Sequence, residues 1–307
     1  MNLIGRVIMA FMPITPKGLV RFFSRRYVAG TELHHAIKVM EDMANENTSF
    51  TVDVLGEDIT SIEETEWFVT EYQDLIKAIS TSKIDAHISL KPTAFGLDID
   101  YDHALSTVSE LAKLASDFDI FVRLDMEDSD HTESTLRMTE DLHKLGHRNT
   151  GVVLQGRLFR TLDDLERLSA SLGPDADVRI CKGIYLEHPD IAYTGYNDIV
   201  RATSAAVSKA LDLGMYVGVA SHDHPVINST IKSLDERNFV FPGQDPREPA
   251  PTKREGKGNG YEFQFLLGVR GDVRRRLASE GHLTRAYLPY GEQWYEYSMR
   301  RLRENPG

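Results

Sequence analysis

Short apolar or β-branched runs alternate with longer amphipathic segments along most of the chain. Eight of the short runs predict β-strands, at 51–55, 86–91, 121–126, 151–155, 178–183, 216–221, 261–265 and 284–288. The segments between them carry apolar residues at helical spacing, among them 62–79, 101–115, 134–145, 162–172 and 199–213. Strands that alternate with helices are typical of repeated βα units, and eight such units predict a closed parallel (β/α)8 barrel of the α/β class.

Three regions depart from this alternation. Residues 1–48 precede the first strand and predict an N-terminal helical arm, whose extra helices pack on the barrel. Residues 241–260 are rich in Pro, Gly and charge without periodicity, which predicts an irregular loop before the seventh strand. Residues 292–304 predict a last helix over the C-terminal mouth. We therefore expect residues 1–307 to form a single domain, a distorted TIM-like barrel.

Composition narrows the class of protein without identifying a function. The 307 residues are 41% hydrophobic, enough for a large core, and the formal charge of -12 argues against a nucleic-acid partner. A single cysteine, Cys181, excludes an intramolecular disulfide and a cysteine-built metal site. No apolar run approaches the about 18 residues of a membrane span, and the N-terminus lacks the order of a signal peptide. We expect a cytoplasmic protein.

Ionisable and amide side chains recur where the predicted strands end. In chain order they are Glu57, Lys91, Asp125, Glu127, Gln155, Arg179, Lys182 and His222. One such residue alone is most simply a structural ion pair, whereas several at the same level of successive strands favour a site, because chemistry in such barrels gathers at the C-terminal ends of the strands. No phosphate-binding loop or GxGxxG motif is present, and the eleven histidines show no metal-ligand spacing, so we expect no metal site.

The segment AYLPYGEQWYEYSMRRLREN (286–305) adds aromatic hydroxyls and guanidinium groups. Tyr287 lies on the last predicted strand, and Tyr297, Arg300, Arg301 and Glu304 are spaced to share one face of the helix that follows. An arginine fork matches the two oxygens of a carboxylate, so the segment predicts a pocket for a small carboxylate. Taken alone, the segment is equally compatible with a solvated basic helix end, which the helix dipole favours.

The chain also resembles the proline dehydrogenase family, both its monofunctional bacterial enzymes and the matching domain of bifunctional proline-oxidising proteins. The resemblance runs from about residue 26 to residue 306. It is carried by RYVAG (26–30), DVLGE (53–57), SLK (89–91), VRLDMEDS (122–129), VLQ (153–155), VRICKGIY (178–185), ASHD (220–223), YEFQFLLGVR (261–270) and the C-terminal segment. It implies oxidation of L-proline to 1-pyrroline-5-carboxylate by hydride transfer to a flavin, the first step of proline catabolism.

The same resemblance implies a noncovalent FAD at the barrel mouth. The matched positions are Gln155, Arg179, Lys182, Gly183, Tyr185, Ser221, His222 and Glu262. A cation such as Arg179 near the flavin stabilises the negative charge that arrives with a hydride, and a glycine at position 183 lets the backbone approach the cofactor closely.

On the substrate side, the resemblance assigns a carboxylate clamp to Lys91, Arg300 and Arg301. It places Asp125, Leu266, Tyr287 and Tyr297 around the pyrrolidine ring. It pairs Glu57 with Arg179 as a gate to the pocket, and it assigns to Glu304 the ordering of the clamp. Because relatives that prefer hydroxyproline tend to lose the hydroxyl at the position of Tyr287, its presence favours proline as the substrate.

The resemblance also implies a quinone-type electron acceptor and peripheral contact with the inner face of the membrane, while the oligomeric state stays open. Where the family usually has an aromatic residue two positions after the glutamine of VLQ, this chain has Arg157, preceded by Gly156. That change and the 241–260 loop favour a second hypothesis, an FAD-dependent dehydrogenase acting on a related cyclic or N-alkyl amino acid. The sequence is also compatible with a flavin-binding barrel that does not turn over and, less closely, with a metal-dependent barrel hydrolase.

Overall fold

The computed structural model describes residues 20, 25–57, 59–239, 260–295 and 297–299. Eight parallel strands form a closed barrel in chain order, and the last strand pairs with the first. The strands are β1 Ser49–Val54, β2 Ala86–Leu90, β3 Val122–Leu124, β4 Thr150–Gln155, β5 Asp177–Cys181, β6 Tyr216–Ala220, β7 Gly260–Leu266 and β8 Thr284–Tyr290. The predicted barrel and its eight strands are confirmed.

One helix precedes β1, and a helix follows each of the strands β1 to β7, as the βα pattern predicts. They are α1 Leu33–Met43, α2 Thr65–Ser82, α3 Tyr101–Asp117, α4 Thr132–Lys144, α5 Thr161–Leu172, α6 Tyr196–Asp212, α7 His224–Glu236 and α8 Gly271–Ser279. The five helical segments predicted from spacing match α2 to α6, with ends that differ by a few residues. Short 3-10 turns add residues at these ends, as Ile62–Glu64 does before α2.

Local chemistry explains where several helices begin. Asp100 precedes α3, and its side chain accepts hydrogen bonds from the backbone N–H groups of Asp102 and His103. Before α2, Ser61 and Glu64 form a reciprocal capping box. Each helix then buries one apolar face against the outer surface of the barrel, where Val52, Ile88 and their counterparts on the other strands pack.

The inside of the barrel is polar, unlike the aliphatic layers usual in this architecture. Arg123 on β3 pairs with Asp177 on β5 at 2.5 Å, and Arg285 on β8 pairs with Glu262 on β7 at 2.6 Å. All four side chains are almost completely buried. Buried charges are tolerated only when they are paired and hydrogen-bonded. These ion pairs therefore constrain the barrel interior, one across β4 between β3 and β5 and one between the neighbouring strands β7 and β8.

Parts of the predicted terminal elements lie outside the described residues. The helix α1 belongs to the predicted 1–48 arm, whereas residues 1–19 and 21–24 of that arm and residues 241–259 of the predicted loop lie outside the described ranges. Of the predicted last helix, residues 294, 295 and 297–299 are helical. Val20 packs against Met299, beside Trp294 and Tyr295. Among the described residues, no helix combines the length and apolar character needed to cross a membrane.

Candidate active site

A cluster of four polar side chains occupies the carboxyl-terminal end of the barrel interior. Asp125 accepts hydrogen bonds through Oδ1 from Ser89 Oγ at 2.7 Å and from Arg179 Nη1 at 2.6 Å, and through Oδ2 from the Tyr287 hydroxyl at 2.7 Å. The Arg179 guanidinium carbon also lies 5.2 Å from the centroid of the Tyr287 ring. Residues from β2, β5, β8 and the end of β3 therefore converge on one carboxylate.

Lys91 forms a second charged group beside this cluster. Its ammonium lies 3.2 and 3.3 Å from the two carboxylate oxygens of Asp53 and 4.0 Å from Glu57 Oε2. The Lys91 side chain is 11% exposed and that of Asp53 is 1% exposed, so the pair is shielded from water. The structure pairs Arg179 with Asp125 and brings Glu57 to Lys91. The pairing of Glu57 with Arg179 as a gate stays a prediction.

The charges of this region shift one another's protonation. Burial raises the pKa of Asp53 to about 6, with Lys91 opposing the shift and Asp125 adding to it. Burial disfavours the charge of Lys91, but Asp53, Glu57 and Asp125 outweigh burial and hold its pKa above the ordinary value. Burial, with the charges of Asp125 and Asp53, raises the pKa of Tyr287 well above its usual range. At neutral pH the site therefore holds a lysine ammonium and a neutral phenol.

Strand register explains why these residues meet. In a strand, alternate side chains point to the same face, so Asp53, Ser89, Arg179 and Gln264 all point into the barrel. Asp53 is in register with Ser89, which places the two inward residues side by side at the mouth. The backbone N–H of Asp125 donates to the carbonyl of Leu90 at 2.8 Å, which fixes Asp125 just past the end of β3.

Gln155, Gly183 and Lys182, which the resemblance assigned to the cofactor, lie at the adjoining ends of β4 and β5. Gln155 is 2% exposed and donates through Nε2 to the carbonyl of Glu127 at 2.7 Å, while its Oε1 has no hydrogen-bond partner within the described ranges. Gly183 has φ +94, and a Cβ at this position would lie 2.6 Å from Gln155 Oε1. Lys182 pairs with Asp223 at 2.6 Å and keeps about a third of its side chain exposed.

The other positions assigned to the cofactor lie at two depths. His222 is half-buried after β6 and accepts a hydrogen bond from the Leu266 N–H at 3.0 Å, and Ser221 is buried beside it. Tyr185 is half-buried in the loop after β5. Glu262 lies one inward position below Gln264 and is 1% exposed, bound to Arg285. Contact of Glu262 with a cofactor stays a prediction, and Gln264 links it to the mouth.

The substrate-side residues are only partly among the described ones. Leu266 ends β7 in register with Tyr287 and is half-buried. Tyr297 is 8% exposed and packs with Val28 and Leu55. Arg300, Arg301 and Glu304 lie outside the described residues, so their meeting with Lys91 stays a prediction.

Arg157 belongs to a loop contact and not to the charged cluster. It is 8% exposed, and its Nη1 donates to the backbone carbonyl of Tyr185. The backbone N–H of Tyr193 donates to the carbonyl of Arg157 at 2.8 Å, and Leu158 forms an antiparallel bridge with Ala192. Arg157 therefore fastens the loop after β4 to the loop after β5.

Sequence reasoning did not assign a role to Asp53, Ser89 or Gln264. Each is a polar residue at an inward position within an otherwise apolar strand run, in TVDVL, HISL and YEFQF. A fully buried strand tolerates a polar residue only where that residue has a partner. The polar residues within these apolar runs were therefore the sequence signal that could have predicted a role for them.

The mouth suits a flavin on grounds of donor and acceptor chemistry. Gln155 Oε1 is a buried acceptor that no described residue contacts by a hydrogen bond, so it can accept one from an N–H group of a ring system. Arg179 and Lys182 supply positive charge nearby. The positive φ of Gly183 keeps the backbone beside Gln155 free of a side chain. Gln155, Arg179 and Lys182 are the residues that would hold the flavin.

Comparisons with known proteins point in one direction. The family model described as proline dehydrogenase matches residues 36–307. Proline dehydrogenase 2 of Bacillus subtilis strain 168 is 33% identical over 286 residues, which cover 93% of this chain and 88% of the relative. Proline dehydrogenase of Deinococcus radiodurans is 32% identical over 287 residues, which cover 92% of this chain and 86% of the relative.

A solved structure has the same fold. It is proline utilization A (PutA) from Bdellovibrio bacteriovorus, inactivated by N-propargylglycine, and it superimposes with a TM-score of 0.81 at 20% sequence identity. The match covers 95% of this chain and 33% of that chain, so the chain spans about a third of the length of this larger protein.

Proposed function

This chain belongs to the proline dehydrogenase family, and from that premise we propose that it oxidises L-proline to 1-pyrroline-5-carboxylate with a noncovalently held FAD. The observation that carries the proposal is the convergence of Asp125, Arg179 and Tyr287 beside the buried Lys91–Asp53 pair. A small cyclic amino acid carries one anionic carboxylate, one nitrogen and an apolar ring, and each finds a matching group in this cluster.

Lys91 binds the proline carboxylate. Its ammonium is almost completely buried and protonated, so it offers a strong charge-assisted hydrogen bond away from water. Asp53 fixes the direction of the ammonium through contacts to both of its oxygens. Arg300 and Arg301 complete the clamp in this proposal, as the family resemblance implies.

Tyr287 and Leu266 bound the ring of the substrate. They are in register on β8 and β7, and the Tyr287 hydroxyl is held by Asp125. A bound ring would be fixed between these side chains, which reduces the entropy lost on reaching the reactive geometry. The same phenol leaves little room for an added hydroxyl on the ring, which favours proline over hydroxyproline.

Oxidation removes a hydride from the carbon next to the ring nitrogen and a proton from that nitrogen. The secondary ammonium of proline must lose its proton before this carbon can release a hydride. Transfer from water into this buried site lowers the pKa of the bound ammonium and favours the neutral amine. The charges of Lys91 and Arg179 act in the same direction, and those of their partners Asp53 and Asp125 oppose it. A flavin bound at the mouth would supply the acceptor for this hydride.

Arg179 supplies the positive charge on the flavin side. Its Nε donates to Gln264 and its Nη1 to Asp125 and Ser89, and within the described part of the chain Nη2 has no acceptor. A guanidinium held in this way stabilises the negative charge that arrives on a flavin with the hydride, without reorganising during the reaction.

Turnover would also require an acceptor for the electrons taken from proline. We propose a quinone-type acceptor and transient contact of a cytoplasmic protein with the inner face of the membrane, which rests on the family resemblance alone. The rate at which a soluble quinone reoxidises the proline-reduced protein tests the acceptor, and comparing that rate with and without anionic vesicles tests the membrane contact. A reduced flavin that a quinone does not reoxidise within a turnover time would overturn this part of the proposal.

The central experiment is an absorbance spectrum of the purified protein before and after anaerobic addition of L-proline. We expect a flavin spectrum that bleaches with proline. Bound FAD should be released by acid or heat, since it is not covalently attached. Lys91→Met should still bind flavin but bleach far more slowly. A protein that contains flavin and is not reduced by proline, hydroxyproline or pipecolate would support a barrel that does not turn over.

A further inference from the structure

Gln264 lies between the charged cluster at the mouth and the ion pairs deeper in the barrel. Its Oε1 accepts from Arg179 Nε at 2.6 Å, and its Nε2 donates to Glu262 Oε1 at 2.8 Å. The side chain is 5% exposed. One amide therefore joins two charged residues that lie on different strands, Arg179 on β5 and Glu262 on β7.

The two partners leave the amide only one orientation. A guanidinium has donors and no acceptor, and an ionised carboxylate has acceptors and no donor. The carbonyl of Gln264 must therefore face Arg179 while its amino group faces Glu262. An amide turned the other way would set two donors against each other and two acceptors against each other inside a site that excludes water.

The lower end of this chain of contacts is fixed by the barrel. Glu262 is paired with Arg285 at 2.6 Å and accepts from the Tyr216 hydroxyl at 3.1 Å, and Arg285 donates to the carbonyl of Phe50 at 2.5 Å. Because these groups are buried and mutually bonded, Glu262 has little freedom to move.

Gly218 provides the space for the amide. It lies on β6 in register with Glu262, and a Cβ at this position would come within 2.4 Å of Gln264 Nε2. An alanine there would require Gln264 to shift. The backbone conformation at residue 218 does not itself require a glycine.

We propose that Gln264 is a positioning residue for the oxidation, which sets the plane of the Arg179 guanidinium so that Nη1 meets Asp125 and Nη2 would remain available to a bound flavin. The inference rests on the proposed function. The contacts of Nη1 to Asp125 and Ser89 leave the guanidinium able to turn about that one nitrogen, whereas a contact at Nε fixes its plane. Gln264 acts through Arg179 and does not itself touch the reacting atoms.

The first test needs no flavin. The side-chain Nε–H of Arg179 is buried and hydrogen-bonded, so in nitrogen-15-labelled apoprotein it should give a slowly exchanging signal, assigned as the one lost in Arg179→Lys. Gln264→Met, which keeps the length but removes the acceptor, should abolish the protection of this signal. Persistence of that protection in Gln264→Met would overturn the proposal, because Arg179 would then be held without Gln264.

Two further variants separate positioning from loss of folding. Gly218→Ala should displace Gln264 and reproduce the loss of protection with the amide still present. Gln264→Glu should restore it, because two carboxyl groups this close share a proton and the new side chain can then accept from Arg179 and donate to Glu262. Tyr216→Phe is the matched control, since it removes the hydrogen bond from the Tyr216 hydroxyl to Glu262 and leaves the Gln264 to Arg179 bond in place.

In the flavin-loaded protein, Gln264→Met should reduce the rate of flavin reduction at saturating proline by about tenfold to a hundredfold, with KM for proline changed by less than about threefold. The flavin potential should fall, because positive charge is no longer held beside the ring system. Unchanged rate and potential in a variant that has lost Arg179 protection would overturn the catalytic part of the inference. Failure of the unmodified protein to react with proline would instead count against the proposed function, and the apoprotein result would be unaffected.

Discussion

Arg179 and Asp125 are joined at 2.6 Å although their strands, β5 and β3, are separated by β4. The contact crosses the barrel interior, above the inward position that Val153 occupies in register with Arg179. It brings a guanidinium and a carboxylate together at the centre of the mouth. Asp125 therefore orients Arg179. As a protein side chain, it does not move with the substrate.

The Lys91–Asp53 pair should be the most costly part of the site to break. Lys91→Met leaves Asp53 buried without its counter-charge and should lower the free energy of unfolding by about 3 kcal/mol at neutral pH. The loss should grow with pH, because Asp53, whose pKa is about 6, can escape the cost by binding a proton at low pH. Urea denaturation at several pH values measures the effect.

The double variant Asp53→Asn with Lys91→Met should recover most of this stability while proline oxidation stays lost. Lys38→Met is the control, because Lys38 forms an exposed pair with Asp42 and its loss should change the free energy of unfolding far less. Equal destabilisation by both lysine substitutions would show that burial of the Lys91 pair has no energetic consequence.

Tyr287→Phe removes the hydrogen bond to Asp125 while it keeps the ring over Arg179. We expect kcat/KM for proline to fall about tenfold, since the lost contact is to a charged partner. The ratio of activity with hydroxyproline to activity with proline should rise, because the space taken by the hydroxyl becomes available. Steady-state kinetics with a dye acceptor provide both numbers, and an unchanged ratio would remove Tyr287 from the determinants of specificity.

Burial of Glu127 should make the free energy of unfolding larger in mild acid than at higher pH. Glu127 is buried, it accepts from the backbone and hydroxyl of Thr93, and burial raises its pKa to about 7 from an ordinary value of 4.5. The folded state therefore binds more protons than the unfolded state between these values. The stabilisation is present below the unfolded value and is lost as pH rises through about 7.

Glu127→Gln should flatten this dependence. The difference in unfolding free energy between about pH 5 and about pH 8 should change by about 1 to 2 kcal/mol relative to the unmodified chain, in the direction that favours the variant at high pH. Glu66→Gln on the exposed face of α2 serves as the control. A Glu127→Gln curve parallel to that of the unmodified protein would contradict the assigned burial effect.

Gly183 and Gly214 form a matched pair for testing the cofactor site. Both have positive φ, but a Cβ at 183 would lie 2.6 Å from Gln155 Oε1, whereas a Cβ at 214 would meet no described atom within 4 Å. Each alanine variant should lose about 1 kcal/mol of stability from backbone strain. Only Gly183→Ala should also lose bound flavin, measured as flavin released per mole of folded protein. Equal flavin content in the two variants would argue against a role for the 183 backbone.

The sequence determined the barrel, because the apolar patterns of strands and helices, and their alternation, depend on residues that are close together in the chain. It also indicated which strand ends carry polar groups, since Lys91, Asp125 and Arg179 interrupt or end apolar runs that would otherwise be continuous. The family resemblance added an activity to that framework.

Only the tertiary structure decided which of these groups are partners. Arg179 is paired with Asp125. Asp53 and Gln264 enter the site through inward positions, and the sequence pattern alone cannot show which residues they contact. The physical reason is the closure of the sheet. It brings side chains as far apart in the chain as Ser89, Asp125, Arg179 and Tyr287 within hydrogen-bonding distance. It also excludes water, which would otherwise weaken the electrostatic interactions between them.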